Sequence, residues 1–149
     1  MSGMSEVPRR LRKGTLRGVW RWPVDASAEQ LEAIGTALEW HTVVLDTTDV
    51  ESKEAFLQAC AETFALPSWF GMNWDALVDC LSDLDVGESM GILIGWRGWQ
   101  SFALADAEEF ATAVDVLGDA STRWENDKVP GAVVLVGETD GEEPDLRIL

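Results

Sequence analysis

The stretch that decides the fold lies in the middle of the chain, where residues 66–84 read LPSWFGMNWDALVDCLSDL. The leucines, Val78 and Cys80 fall on one side when residues are placed at 100° intervals on a helix. The acidic residues have i, i+4, i+8 spacing and fall on the other side: Asp75, Asp79 and Asp83. Asn73 is a favourable N-cap. The stretch therefore predicts an amphipathic helix over about 74–84 with a ridge of carboxylates.

The like charges of this ridge destabilise the helix, and solubility alone does not require such an arrangement. Each like-charged i,i+4 pair destabilises a helix by about 0.2–0.5 kcal/mol. Asp75 lies in the first turn, where the helix dipole favours a carboxylate, but Asp79 and Asp83 do not. There is no Lys or Arg between Lys53 and Arg97, whereas seven acidic residues lie there. We interpret the ridge as a surface for a basic partner, against the alternative of a solvated helix face.

An aromatic loop precedes the helix. Trp69 and Phe70 lie between Pro67 and Gly71, in a short turn. We expect Phe70 to be buried beneath the helix, and Trp69 either to be buried or to act as an exposed binding anchor. Together with the amide of Asn73, the loop and the ridge would suit a basic cleft that recognises phosphate, because the carboxylates can pair with Arg and Lys there.

Composition places limits on the class of protein. The chain has 149 residues, a formal net charge of -16 and 46% hydrophobic residues, which fits one acidic domain with a real core. This charge argues against unaided binding to nucleic acid or an anionic membrane. The basic start lacks an apolar segment typical of a secretory signal, and no apolar run reaches 18 residues. We expect a cytoplasmic protein with both thiols, Cys60 and Cys80, free.

Strands and helices alternate along the rest of the chain. Four strands are predicted, at Gly18–Trp22, 42–45, 91–95 and 132–136. Besides the acidic helix, helices are predicted at about 28–39, from 52 to before Pro67, and from 106 to about 124, with a short helical turn at 99–104. The order β-α-β-α-α-β-α-β predicts an α/β fold with a small, mainly parallel sheet of three to four strands packed with helices.

The same patterns predict three regions in the chain. Residues 1–16 contain Arg9, Arg10, Arg12 and Lys13 and are expected to be a disordered basic arm. Residues 17–137 are expected to form a single domain. Residues 138–149, with Gly141 and Pro144, are expected to be an acidic flexible tail.

The motifs resemble those of the barstar family. Residues 66–81 contain Leu-Pro, two aromatic residues, Gly-x-Asn-x-Asp-Ala-Leu and Asp-Cys-Leu, and residues 92–99 resemble the family's strand motif ending in Trp-Arg. The resemblance covers about 41–137 and implies a barstar-like fold. It also implies an intracellular inhibitor, a bacterial immunity protein or antitoxin, which plugs a ribonuclease active site with its acidic helix and adjacent loop.

The resemblance assigns roles to individual residues. Asp79 matches the strongest acidic contact with the Arg and Lys groups of the nuclease phosphate site, and Asp75 matches a second one. Asn73 matches the amide at the end of the loop. Trp69 stands where the family has a tyrosine that stacks on the catalytic histidine of the nuclease. A glutamate of the later helix is best matched by Asp119, with Glu125 as the alternative.

Three further residues complete the predicted partner-binding set: Gly71, Trp74 and Asp83. Asp83 extends the acidic ridge by one turn beyond the family pattern. The predicted partner is a basic, barnase-like ribonuclease, bound by a monomer in a 1:1 complex. The prediction includes no catalytic residue, cofactor, metal, direct nucleic-acid contact or membrane contact.

Three other functions are alternatives for this sequence. A module of the same fold would regulate a basic partner that is not a nuclease. An acidic mimic of nucleic acid would need neither Trp69 nor Asn73. An enzyme would need Asp75 and Asp79 to hold a metal, but the sequence has no Cys/His metal spacing, Gly-rich phosphate loop or nucleophile elbow, and its one histidine, His41, stands at a strand start.

Overall fold

One parallel sheet organises the chain. A computed structural model describes residues 17–67, 70–138 and 146–148. Within them the strands are β1 (Gly18–Trp22), β2 (His41–Asp46), β3 (Ile92–Arg97), β4 (Gly131–Val136) and β5 (Arg147–Ile148). Their order across the sheet is β2-β3-β4-β1-β5, and every described pair is parallel. The predicted α/β class is confirmed, with one strand more than the sequence indicated.

Helices connect the strands over both faces of the sheet. They are α1 (Ala28–Leu38), α2 (Lys53–Thr63), α3 (Trp74–Ser82), α4 (Gln100–Ala105) and α5 (Ala107–Asn126). The first three and α5 begin at a side chain that accepts a hydrogen bond from a first-turn N–H group: Ser27, Ser52, Asn73 and Asp106. The acidic helix is two residues shorter than predicted, because the backbone leaves the helical conformation at Asp83 (φ -103°, ψ 18°).

The first and last strands extend the sheet on the side of β4. β1 pairs with β4, with Val19 beside Val133, and its other edge pairs with β5. Arg147–Ile148 therefore form a strand within the segment predicted to be a flexible tail, because they satisfy edge groups of β1 that need a partner. Residues 139–145 and the predicted basic arm 1–16 lie outside the described residues.

The sheet has an apolar core on each face. The larger core packs α2, α3, α4 and α5 against one set of strand side chains, including Val19, Ile94 and Val133. The alternating set, including Trp20 and Val134, packs against α1 on the other face. The strand and helix before residue 40 thus close a face of the sheet that would otherwise expose apolar residues.

Buried tryptophans join distant elements. The indole N–H of Trp96 donates to the hydroxyl of Thr47 at 2.8 Å, and that of Trp99 donates to the Val136 carbonyl at 3.0 Å. The indole N–H of Trp124 on α5 donates to the Leu81 carbonyl on α3 at 2.8 Å. Each ring fills the core, and its polar atom keeps a partner, as buried polar groups require.

The contact of α1 with the sheet yields a first prediction. A Cβ on Gly95 of β3 would stand 2.5 Å from Cδ1 of Leu31 of α1, a side chain only 1% exposed. Gly95→Ala should therefore lower the free energy of unfolding by about 1–3 kcal/mol through overpacking. In a Leu31→Ala background the same change should cost close to nothing, because the methyl group then has space. Urea unfolding of the four proteins measures this coupling.

Gly118→Ala on α5 is the control for this cycle. The nearest side-chain atom, Cγ2 of Val19, would be 3.9 Å from the new Cβ, and alanine is favoured over glycine in a helix by about 0.5–1 kcal/mol. This variant should be slightly stabilised in both backgrounds. An equal cost of Gly95→Ala with and without Leu31 would contradict the docking of α1 on the sheet.

Candidate partner-binding site

The acidic face of α3 is directed to solvent by the burial of its opposite face. Leu77 and Leu81 have no exposed surface, and Cys80 is 8% exposed. Asp75, Asp79 and Asp83 are all exposed. Asp75 and Asp79 are one turn apart on the helix, and Asp83 follows as its C-cap residue. The structure thus places the three carboxylates along one side of α3, as the spacing predicts.

The carboxylate of Asp79 already has a cation beside it. Nη1 of Arg123, on α5, donates to Oδ1 of Asp79 at 2.7 Å, and the two side chains are 50% and 65% exposed. An exposed pair of this kind contributes about 0–1 kcal/mol to stability, so a competing cation can displace the arginine at little cost. Arg123 was not predicted from the sequence, because neither residue of the pair carries a local signal for the packing of α5 against α3.

Asp83 and Asp75 have different helix environments. Asp75 lies in the first turn of α3, where the N–H groups and the helix dipole favour a negative charge. Asp83 lies at the opposite end, where the dipole disfavours one. Asp83 also borders a groove that begins beyond the end of the helix, together with Leu84 and Asp85. Its position is therefore a junction between the acidic face and that groove.

Asn73 is exposed, and its side chain also caps the start of α3. Its Oδ1 accepts a hydrogen bond from the Ala76 N–H at 2.8 Å, and its Nδ2 donates to the Gly71 carbonyl at 3.3 Å. A Cβ on Gly71 would stand 2.9 Å from that Nδ2, so a larger residue would disturb the cap. Phe70 is 8% exposed, which confirms its predicted burial. Trp69 lies outside the described residues.

Trp74 joins α3 to its neighbours. Its indole N–H donates to Oε2 of Glu109 on α5 at 3.1 Å, and its ring centroid lies 5.7 Å from that of Phe56 on α2. Nζ of Lys53 lies 5.7 Å from the centre of the same ring. Trp74 is half-buried. In the free protein this side chain therefore anchors the start of α3, although it was predicted as a partner contact.

The structure distinguishes the two candidates on the later helix. Asp119 is exposed on α5 and borders a groove with Gly18 and Val19 of β1. Glu125 forms an ion pair with Arg17, whose Nη1 lies 2.9 Å from Oε1 of the glutamate. Asp119 lies one turn before Arg123, the residue that reaches Asp79. Glu125 thus already has a cationic partner in the free protein, whereas Asp119 borders the groove between α5 and β1.

The described acidic and thiol groups show no metal site and no activated thiol. In the described part of the chain, no group of three or more His, Cys, Asp or Glu side chains is arranged to hold a metal ion. Burial raises the pKa of the Cys80 thiol, and the carboxylates of Asp79 and Asp83 raise it further. Burial also raises the pKa of the Cys60 thiol. Both thiols are therefore protonated at neutral pH and poor nucleophiles.

Across residues 17–67, 70–138 and 146–148, no helix is long and apolar enough to cross a membrane.

Two solved structures were found to be similar to this chain at low sequence identity. The ORC2 protein of Aeropyrum pernix, solved as ADPNP-ADP complexes, matches with a TM-score of 0.56 and 15% identity over 92% of this chain. This chain spans 39% of that protein's length. A Drosophila ORC structure bound to DNA has a TM-score of 0.47 and 8% identity, covering 94% of this chain and 76% of that one. The likeness to the Aeropyrum protein shows the fold alone.

Sequence comparison identifies the family. No curated protein sequence matches the chain at a significant level. The family model described as "Barstar (barnase inhibitor)" matches residues 40–136, close to the 41–137 that the motifs indicate. The match runs from the residue before β2 to the end of β4 and includes α3 with its acidic face. Since it covers more than half of the sequence, the chain belongs to the barstar family.

Proposed function

We propose that this protein inhibits a ribonuclease by inserting the acidic face of α3 into the basic active site of the nuclease. The observation that carries the proposal is the exposure of Asp75 and Asp79 on a helix whose opposite face is buried. A nuclease active site holds cations for the phosphates of RNA. Carboxylates on a rigid helix can pair with those cations and exclude the substrate. The chain would act as an inhibitor and not as an enzyme.

The remaining residues would take supporting roles in the complex. Asn73 would contribute through the exposed end of the loop, while its cap fixes the first turn of α3. Asp119 would add a carboxylate from α5. Trp69 stays in the proposal as the aromatic contact that the family resemblance implies. Trp74 would act indirectly, because it holds α3 against α2 and α5.

Arg123 makes binding an exchange of cations. In the free protein it neutralises part of the charge on Asp79. A nuclease arginine or lysine that reaches Asp79 would replace it, and Arg123 would return to solvent. The net charge of -16 would at the same time accelerate encounter with a basic partner at low ionic strength.

The proposed complex has a simple stoichiometry and location. One copy of the chain would cover one active site, as a monomer in a 1:1 complex with a barnase-like ribonuclease. The inhibitor would act in the cytoplasm as an immunity protein or antitoxin, protecting the cell that contains it from the nuclease.

The central contact can be tested by neutralising Asp79. Inhibition constants are measured first against a panel of small basic microbial ribonucleases, at low and high salt, to find one that the protein inhibits. Asp79→Asn should then weaken inhibition by about 30-fold or more, the loss of about 2 kcal/mol typical of a hot spot. The asparagine keeps the size of the side chain and removes the charge.

Glu29→Gln provides the matched control, since Glu29 is an exposed acidic residue on α1, which packs on the other face of the sheet. This variant has the same net charge as Asp79→Asn and should inhibit within about twofold of the wild type. The proposal is wrong if no ribonuclease is inhibited by the wild-type protein. It is also wrong if Asp79→Asn inhibits as well as Glu29→Gln.

The cation exchange gives a second test. Arg123→Gln should tighten binding to the inhibited nuclease by about 1.5- to 5-fold, because an exposed ion pair worth about 0.2–1 kcal/mol no longer has to be broken. Lys128→Gln makes the same change in net charge at an exposed residue just beyond α5, and it corrects for the effect of charge on association. Weaker binding by Arg123→Gln than by Lys128→Gln would show that Arg123 supports the contact and does not compete with it.

A further inference from the structure

One edge of the sheet is open at β2. The N–H groups of His41 and Thr47 donate to the carbonyls of Gly91 and Arg97, on the β3 side. Successive residues of a strand direct their N–H and C=O groups to alternate sides. Thr42, Val44 and Asp46 therefore direct theirs away from β3, and no described strand pairs with β2 on that side. Three donors and three acceptors stand along this edge.

A groove of about 760 Å³ runs beside this open edge. Its walls come from α1 on one face of the sheet and, on the other face, from the segments that follow α2 and α3. The apolar part of its surface includes Val43, Val44, Phe64 and Leu66. This volume is in the range of ligand pockets, about 300–1,000 Å³. A groove with apolar walls and a free strand edge provides what an added strand requires: main-chain partners and space for alternate side chains.

The charge of the groove restricts its occupant. Glu32, Asp83 and Asp85 border it, all three are exposed, and no Lys or Arg is among its described residues. Pairing of β2 with β2 of a second copy would bring two sets of these carboxylates together in a chain whose net charge is -16. A basic strand would neutralise them. Charge therefore favours a different, basic chain over self-association.

We propose that this groove binds an extended, basic segment of a partner protein, which pairs with β2 as an additional strand of the sheet. The main chain of the segment bonds to Thr42, Val44 and Asp46. Lys or Arg side chains on one face of the added strand reach Asp83 and Asp85, and one on the opposite face reaches Glu32. This surface is separate from the exposed face of α3 that carries Asp79, and it requires no nuclease. Asp83 borders both surfaces, so one partner can occupy the two together.

The direct test uses a blocked Arg-Arg-Val-Val-Arg-Arg peptide, which carries Arg and Val on both faces of a strand, as the probe and the full chain as the receptor. Amide hydrogen exchange is followed by NMR. Binding should slow exchange at Thr42, Val44 and Asp46 by about tenfold or more, because each amide gains a hydrogen bond. Exchange at Val43 and Leu45, which face β3, should change little. The same peptide with an N-methyl group on every residue keeps its charge but lacks main-chain donors, and it should bind about tenfold more weakly.

The carboxylates that border the groove are tested with a charge-matched pair of double variants. Glu32→Gln with Asp85→Asn should lower the affinity for the peptide by about threefold or more. Glu108→Gln with Asp115→Asn, on exposed sites of α5, should change that affinity less than twofold. Neither double variant alters Asp79, so a failure here leaves the nuclease inhibition assay as an independent result.

Several outcomes would overturn the proposal. Equal binding of the N-methylated peptide would mean that charge alone attracts it. Slowed exchange at residues 75–79 without any at β2 would place the peptide on the acidic face of α3. A doubling of mass with concentration, with protection at β2, would make a second copy the occupant. Protection at β2 in the free chain that disappears when residues 1–16 are removed would assign the groove to the chain's own basic segment.

Discussion

Two indole hydrogen bonds between α3 and α5 fix the orientation on which the proposed activity depends. Trp74, at the start of α3, donates to Glu109, and Trp124 of α5 donates to the Leu81 carbonyl near the end of α3. Between them Leu77 fills the core with no exposed surface. Rotation of α3 about its axis would break both bonds and bury carboxylates, which is far costlier than burying apolar groups. Core packing therefore dictates that Asp75 and Asp79 face the solvent.

The segment before residue 40 completes the domain around this helix. The family match begins at residue 40, so β1 and α1 lie outside it. β1 nevertheless occupies an interior position in the sheet, and α1 covers the second face. This addition covers the β4 side of the sheet, and among the described strands β2 keeps one side without a partner strand. The two proposed surfaces, the face of α3 and the groove at β2, meet at Asp83 because α3 ends beside that edge.

The helices and strands could be predicted from the sequence better than the tertiary contacts between them. Amphipathic spacing, caps and apolar runs correctly predicted a parallel α/β fold and the exposed carboxylates of α3. Three features depended on packing and left no local signal: the pairing of Arg147–Ile148 with β1, the ion pair of Arg123 with Asp79, and the anchoring of Trp74. The length of α3 was overestimated because Leu84 continues the apolar spacing past the point where Asp83 ends the helix. The partner role of each site residue stays a prediction.

Mapping of backbone amide chemical shifts tests the central claim most directly, with the labelled protein measured alone and in complex with the ribonuclease that it inhibits. If the acidic face of α3 is inserted into the active site, the largest changes will fall at residues 73–79 and at Arg123, which leaves Asp79 when the nuclease cation arrives. Large changes confined to α1 or β5, with residues 73–79 unchanged, would contradict the account.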